Sequence, residues 1–112
     1  SMSNATAKAD MTATVENVEY SIQAARNSAR MNETPVAVQF SAANAGTQTI
    51  SFQAKGSGNP PGMQDYLLPE SIQLVSAQGG FDFDSRGLVE NPGTIVLVSK
   101  TDDSITSTIE VK

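Results

Sequence analysis

Twelve acidic side chains, with no histidine and no cysteine, bound the chemistry open to this chain of 112 residues. Without histidine the commonest general base and the commonest zinc ligand are both missing, and no Ser-His-Asp arrangement can form. Without cysteine there is no thiolate nucleophile, disulfide framework or thiolate zinc site. Carboxylate chemistry remains. Asp82 and Asp84 stand two apart; on a strand they share a face, roughly 6–7 Å from one another, a separation that glycosidase carboxylates can have. The plainer account makes them the solvated face of a strand whose other face is Phe81 and Phe83. Asp102 and Asp103 with Ser104 could contribute to a calcium site, which needs about six or more oxygens. Their spacing is not that of an EF-hand loop, and they read as a turn. Gly56-Ser57-Gly58 with Gly62 is Gly-rich, but it lacks the Gly-Lys-Ser/Thr ending and the strand-to-helix context of a phosphate loop. Flexibility accounts for it better. The residues thus assign no catalytic, cofactor-binding or metal site, call for no cofactor, and do not suggest an enzyme.

The elements that would position these residues are legible from periodicity. From Met11 to Met31 the apolar residues fall at Met11, Val15, Val18, Ile22, Ala25 and Ala29, in steps of four, three, four, three and four. That spacing puts all six on one stripe of a helix. Asp10 suits the positive end of that helix, and Arg26 and Arg30 suit its negative end. Asn32 can end it, and Pro35 cannot continue it. Alternation follows to the C-terminus. Val36, Val38 and Phe40 share a face, as do Ile50, Phe52 and Ala54, with Asn44-Ala-Gly46 as the turn of a hairpin. Residues 55–65 form a loop. Tyr66-Leu67-Leu68 is a short apolar piece stopped by Pro69, and Ile72 and Leu74 begin the next strand. Phe81 and Phe83 form another, closed by the turn at Ser85-Arg86-Gly87. Ile95 and Leu97 face one way and Val96 and Val98 the other, so that strand is central in its sheet or covered on both sides. Ile105, Ile109 and Val111 alternate with polar residues in the last strand. The expected fold is α+β: one N-terminal amphipathic helix packed on antiparallel sheet.

Composition narrows the function classes. The length is that of one domain, able to bury a modest core without disulfides or metal. The seven cations are scattered along the chain and the formal charge is −5. A non-specific nucleic-acid binder needs clustered cations to neutralise phosphates, so the sequence argues against nucleic acid. It also lacks a basic amphipathic face for anionic membranes. No apolar run reaches the roughly 18–20 residues of a membrane span. The start Ser-Met-Ser-Asn-Ala5 reads as a cloning scar.

A long N-terminal helix followed only by strands resembles type IV pilins and pseudopilins. Ala25–Val38 resembles the end of that family's helix, a small and charged run leading through Asn and Pro into a Val-rich strand. Phe81–Gly87, Gly93–Val98 and Ser107–Val111 are similar to the C-terminal half of the GspH/FimT group, where a Phe-containing strand ends in a Gly turn and two strands follow. The resemblance implies a minor pseudopilin or minor pilin of a type II secretion pseudopilus or type IV pilus, acting by subunit packing near the filament tip. Residues 1–9, small and polar, read as scar and ragged start, and the resemblance makes 10–112 a single pilin-like periplasmic domain. The partners it implies are other pilin or pseudopilin subunits, met through the N-terminal helix, and the bacterial inner membrane, met through an N-terminal segment missing here. The DNA-binding FimT-type members carry a basic C-terminal tail, whereas this chain ends Ile109-Glu-Val-Lys112. A DNA-binding minor pilin, or a secreted calcium- or carbohydrate-binding domain using Asp82, Asp84, Asp102 or Asp103, stand as alternatives.

Overall fold

A computed structural model describes residues 4–42 and 46–112. Helix α1 (Asn4–Asn32) is followed by seven strands: β1 (Val36–Phe40), β2 (Thr49–Ala54), β3 (Tyr66–Leu67), β4 (Ile72–Ser76), β5 (Gly80–Phe83), β6 (Gly93–Ser99) and β7 (Thr106–Val111). They form two antiparallel sheets, ordered β3-β2-β1-β5 and β4-β6-β7. The expected β1–β2 hairpin forms, with Val38 opposite Phe52 and Phe40 opposite Ile50. Asn44 and Ala45 of its expected turn lie outside the described residues. β6, apolar on both faces, is indeed central, between β4 and β7. This is the α+β fold expected, a helix packed on antiparallel sheets.

The helix sets the long dimension. Its 29 residues, at about 1.5 Å each, span about 43 Å, and the molecule measures 47 × 23 × 22 Å. Its buried stripe is Ala7, Met11, Thr14, Val18, Ser21, Ile22, Ala25 and Ala29. Ser21 joins the sequence-based stripe, and two further points differ from it. Thr14 is fully buried and Val15 only half-buried. The Thr14 hydroxyl donates to the Asp10 carbonyl at 2.7 Å, so its polar group is satisfied within the helix and the small side chain lets the sheet come close. Second, the helix begins at Asn4, so residues 4–9 are not ragged. Ala7 is buried, and Asp10 accepts a bond from the Ser71 hydroxyl at 2.9 Å just ahead of β4, so the first turns are docked. Asp10 therefore lies beyond the first turn, and its partner is a hydroxyl across the fold rather than the helix end.

The C-terminal end closes in a Schellman motif. The Thr34 N–H donates to the Ala29 carbonyl at 3.1 Å and the Glu33 N–H to that of Arg30 at 3.4 Å. This places Glu33 in the left-handed region, with φ of 51°, where glycine is the usual occupant. Pro35 follows and turns the chain into β1.

The core joins both sheets to the stripe. Val36, Val38, Ile50, Phe52, Phe81 and Phe83 come from the first sheet, and Ile72, Leu74, Ile95, Leu97, Ile109 and Val111 from the second. Phe40 meets Phe81 edge-to-face, with centroids 5.9 Å apart. The sheets are stitched together by Gln48, which stands just before β2 and is only 4 % exposed. Its Nε2 donates to the Leu74 carbonyl at 3.0 Å, and its Oε1 accepts from the Leu74 N–H at 2.7 Å. One side chain thus supplies both bonds that a neighbouring strand would give Leu74.

Candidate functional site

The sequence-derived candidates do not assemble. Asp82 is exposed on β5, and its backbone N–H donates to the Asn91 side chain. Asp84 lies beyond the end of β5 and is turned to a local task. Its Oδ1 accepts the backbone N–H groups of Arg86 (2.9 Å) and Leu88 (3.0 Å), tying the turn at residues 84–88. Those bonds, first from Leu88 and then from Arg86, hold its carboxyl below the usual range, with a lesser contribution from the Arg86 charge 3.8 Å away. A carboxylate committed to stay ionised as a turn acceptor is not a poised general acid. Asp102 behaves alike. Its Oδ1 accepts the Ser104 hydroxyl at 2.6 Å and the Ser104 N–H at 3.1 Å, which lowers its pKa and builds the turn before β7. Among the described residues no three acidic, His or Cys side chains gather as metal ligands could.

The loop at residues 55–65 is braced rather than loose. The Ser57 N–H donates to Ala54, the Met63 N–H to Pro60, and Asn59 Nδ2 to the Met63 carbonyl and the Asp65 carboxylate. Pro60 is buried. The backbone N–H groups of Ser57 and Met63, which a phosphate cradle would need, are already spent on the loop.

Surfaces are what this fold offers instead. Where the helix runs past that loop, a groove of about 460 Å³ opens, lined by Tyr20, Ala24, Asn27 and Met31 from the helix and Pro61 and Met63 from the loop. Tyr20 is 74 % and Met31 79 % exposed, and none of the groove residues is charged. The signal was present in the sequence. Residues 20, 24, 27 and 31 repeat in steps of four, three and four, a second helical stripe beside the buried one.

The cations are partly occupied. Arg26 donates from Nη1 to the Gly87 carbonyl at 2.9 Å and from Nη2 to the Lys112 carbonyl at 2.8 Å, with its guanidinium 4.9 Å from the centre of the Phe83 ring. Lys112 sits 3.4 Å from Glu110.

A single long helix laid along two antiparallel sheets, with exposed surfaces in place of a reactive cluster, is the architecture of a pilin-like subunit. Residues 14–112 match the family of the type II transport protein GspH, and the chain belongs to that family. It is therefore a component of the type II secretion pseudopilus, in a family of structural pseudopilins that work in contact with one another in the periplasm. No curated protein and no solved structure matches the chain. Among the described residues no helix is long and apolar enough to cross a membrane.

Proposed function

We propose that this protein is a minor pseudopilin, a structural subunit that acts by packing against other subunits near the tip of the filament. In this reading α1 continues upstream into a membrane-spanning segment anchored in the inner membrane. The sheets stand in the periplasm and, after assembly, on the filament surface. The helix is the element that meets neighbours. The observation that carries this is the uncharged groove along the outer side of α1, with Tyr20 and Met31 exposed on a helix whose other side is already buried in its own sheets. Exposed aromatic and methionine side chains with little charge around them are what the cores of protein interfaces are made of.

The test is made in the native host. Deleting the gene should leave type II secretion substrates in the periplasm. Complementation with Tyr20→Glu/Met31→Glu should fail although the domain still folds, because both positions are solvent-exposed. Normal secretion from the deletion strain would refute the proposed role. Full rescue by the double variant would refute the helix as the contact.

A further inference from the structure

The strand edges of this fold are not treated alike. In an antiparallel ladder alternate residues turn their backbone groups away from the partner. On β5 these are Gly80 and Asp82, with Asp84 just beyond, because Phe40 donates to Gly79 and fixes the phase. Most of their outward groups are taken. Asn91 donates to the Gly80 carbonyl and accepts from the Asp82 N–H, Glu90 donates to the Asp82 carbonyl, and the Asp84 N–H donates to Leu88. On β4 the outward groups of Leu74 are closed by Gln48. β3 is only two residues long.

β7 is the contrast. The Ser99 N–H donates to the Ile105 carbonyl at 3.0 Å, which turns Ser107, Ile109 and Val111 toward β6 and leaves Thr106, Thr108 and Glu110 facing outward. Among the described residues no bond beyond the ladder reaches the backbone N–H or C=O of those three. Six residues without proline present this bare row, where natural edges are normally blunted. Beside it, between β7 and α1, runs a groove of about 230 Å³. Glu19, Gln23, Arg26, Glu110 and Lys112 line it, with the buried Ile22, Ile109 and Val111 beneath.

We propose that β7 is a strand-addition site, which takes an extended segment of another pseudopilus subunit. Main-chain bonds to Thr106, Thr108 and Glu110 would hold the segment, and alternate side chains would enter the groove, as in other cases where a strand joins a sheet edge. The groove, lined mostly by polar side chains, favours a basic side chain beside Glu19. The rim cations are already engaged, Lys112 with Glu110 and Arg26 with two carbonyls, whereas among the described residues no ion pair reaches Glu19. A second copy of this chain fits less well, because it carries the same net charge of −5. The proposal rests on the pseudopilus reading only for the source of the strand.

The experiment is an NMR titration of the protein with a short peptide of alternating valine and threonine, capped by a lysine at each end. Shifts and slowed amide exchange are expected at Thr106, Thr108 and Glu110, with side-chain shifts at Ile22 and Ile109. N-methylating the peptide on the residues that face β7 should weaken binding by about tenfold or more, since each methyl removes a backbone donor. Glu19→Gln should weaken the lysine peptide and not its serine-capped counterpart. The proposal is overturned by any of three results: no saturable shift at millimolar peptide, equal binding of the N-methylated peptide, or shifts centred on Tyr20 and Met31. Protection of the β7 amides that grows with protein concentration alone would also overturn it, by making a second copy the occupant. Peptide binding in a protein whose deletion leaves secretion intact would keep the edge and remove the pseudopilus donor. The reverse pair of results would remove the edge alone.

Discussion

Gln48→Leu should destabilise the domain although it barely changes the shape of the core. Gln48 and Leu74 are 4 % and 3 % exposed, and the glutamine amide supplies both hydrogen bonds of the Leu74 peptide groups. Leucine fills much the same volume and leaves the Leu74 N–H and C=O buried without partners. Each such group costs about 1–3 kcal/mol. Burying leucine in place of an amide recovers part of that, so the net loss should be about 2–4 kcal/mol. At about 4 °C per kcal/mol for a chain of this size, the midpoint of a thermal melt should fall by about 8–16 °C. Urea melts should show a lower midpoint with an unchanged slope. Gln48→Glu supplies a second readout. An ionised glutamate accepts from the Leu74 N–H but opposes the Leu74 carbonyl, so burial and that carbonyl raise its pKa in the folded state. A raised folded pKa means that stability is intact below the unfolded value, about 4.3 for glutamate, and is lost as pH rises through the folded value. The gap between this variant and the parent should therefore narrow in acid. A Gln48→Leu protein melting within about a degree of the parent would refute the reasoning. It would show that the two sheets hold together without this bridge.

Three further outcomes follow from the same geometry. Ile22→Asp puts a charge into the buried stripe and should cost about 2–5 kcal/mol or more; an unmoved melting curve would mean that the stripe faces a partner. Glu33→Gly relieves a left-handed residue at the helix end and should raise stability by about 0.5–1 kcal/mol, after the extra chain entropy of glycine in the unfolded state, which differential melts can read. The pKa of Asp84 lies below its unfolded value, so its contribution is present above that value and is lost as pH falls through the folded one. Asp84→Asn should therefore flatten the stability profile below about pH 4, measured as melting temperature against pH.

The helix and strands were legible because burial writes itself as a period. A step of four and three marks α1, alternation marks β1, β2 and β7, and a continuous apolar run marks β6. What escaped has no period. Gln48 is a lone polar residue ahead of a strand, and nothing in its neighbourhood tells that its amide stands in for a missing strand across from Leu74. That contact is where the two sheets meet, so the strands are legible in the sequence and their division is not. Thr14 reads as polar in the sequence, whereas its hydroxyl is satisfied inside the helix. Asp82 and Asp84 share a face only if the strand continues past Phe83. β5 stops at Phe83, and Asp84 turns back to bind its own loop. The exposed stripe at Tyr20 and Met31 could have been found, since its spacing is as regular as that of the buried one.

The two exposed features owe their fixed relation to the way the helix is clamped. A Cβ on Gly87 would come within 3.0 Å of the Arg26 carbonyl oxygen and 3.3 Å of the Arg30 Cβ, so only glycine, at its φ of +81°, lets the turn at residues 84–88 lie flush on α1. Arg26 then binds that turn through Gly87 and the end of the second sheet through Lys112, lying over Phe83 as it does so. At the other end, Ser71 holds Asp10 ahead of β4. Each sheet is thus tied to the same helix by at least one directional bond as well as by apolar packing, which alone would tolerate sliding. Rotation of α1 about its own axis would break the Arg26 and Asp10 contacts together. The groove beside Tyr20 and Met31 and the bare edge of β7 are therefore held at a set angle by the body of the domain. Any neighbours that use both must approach in one relative orientation, which is the property a subunit of a regular filament requires.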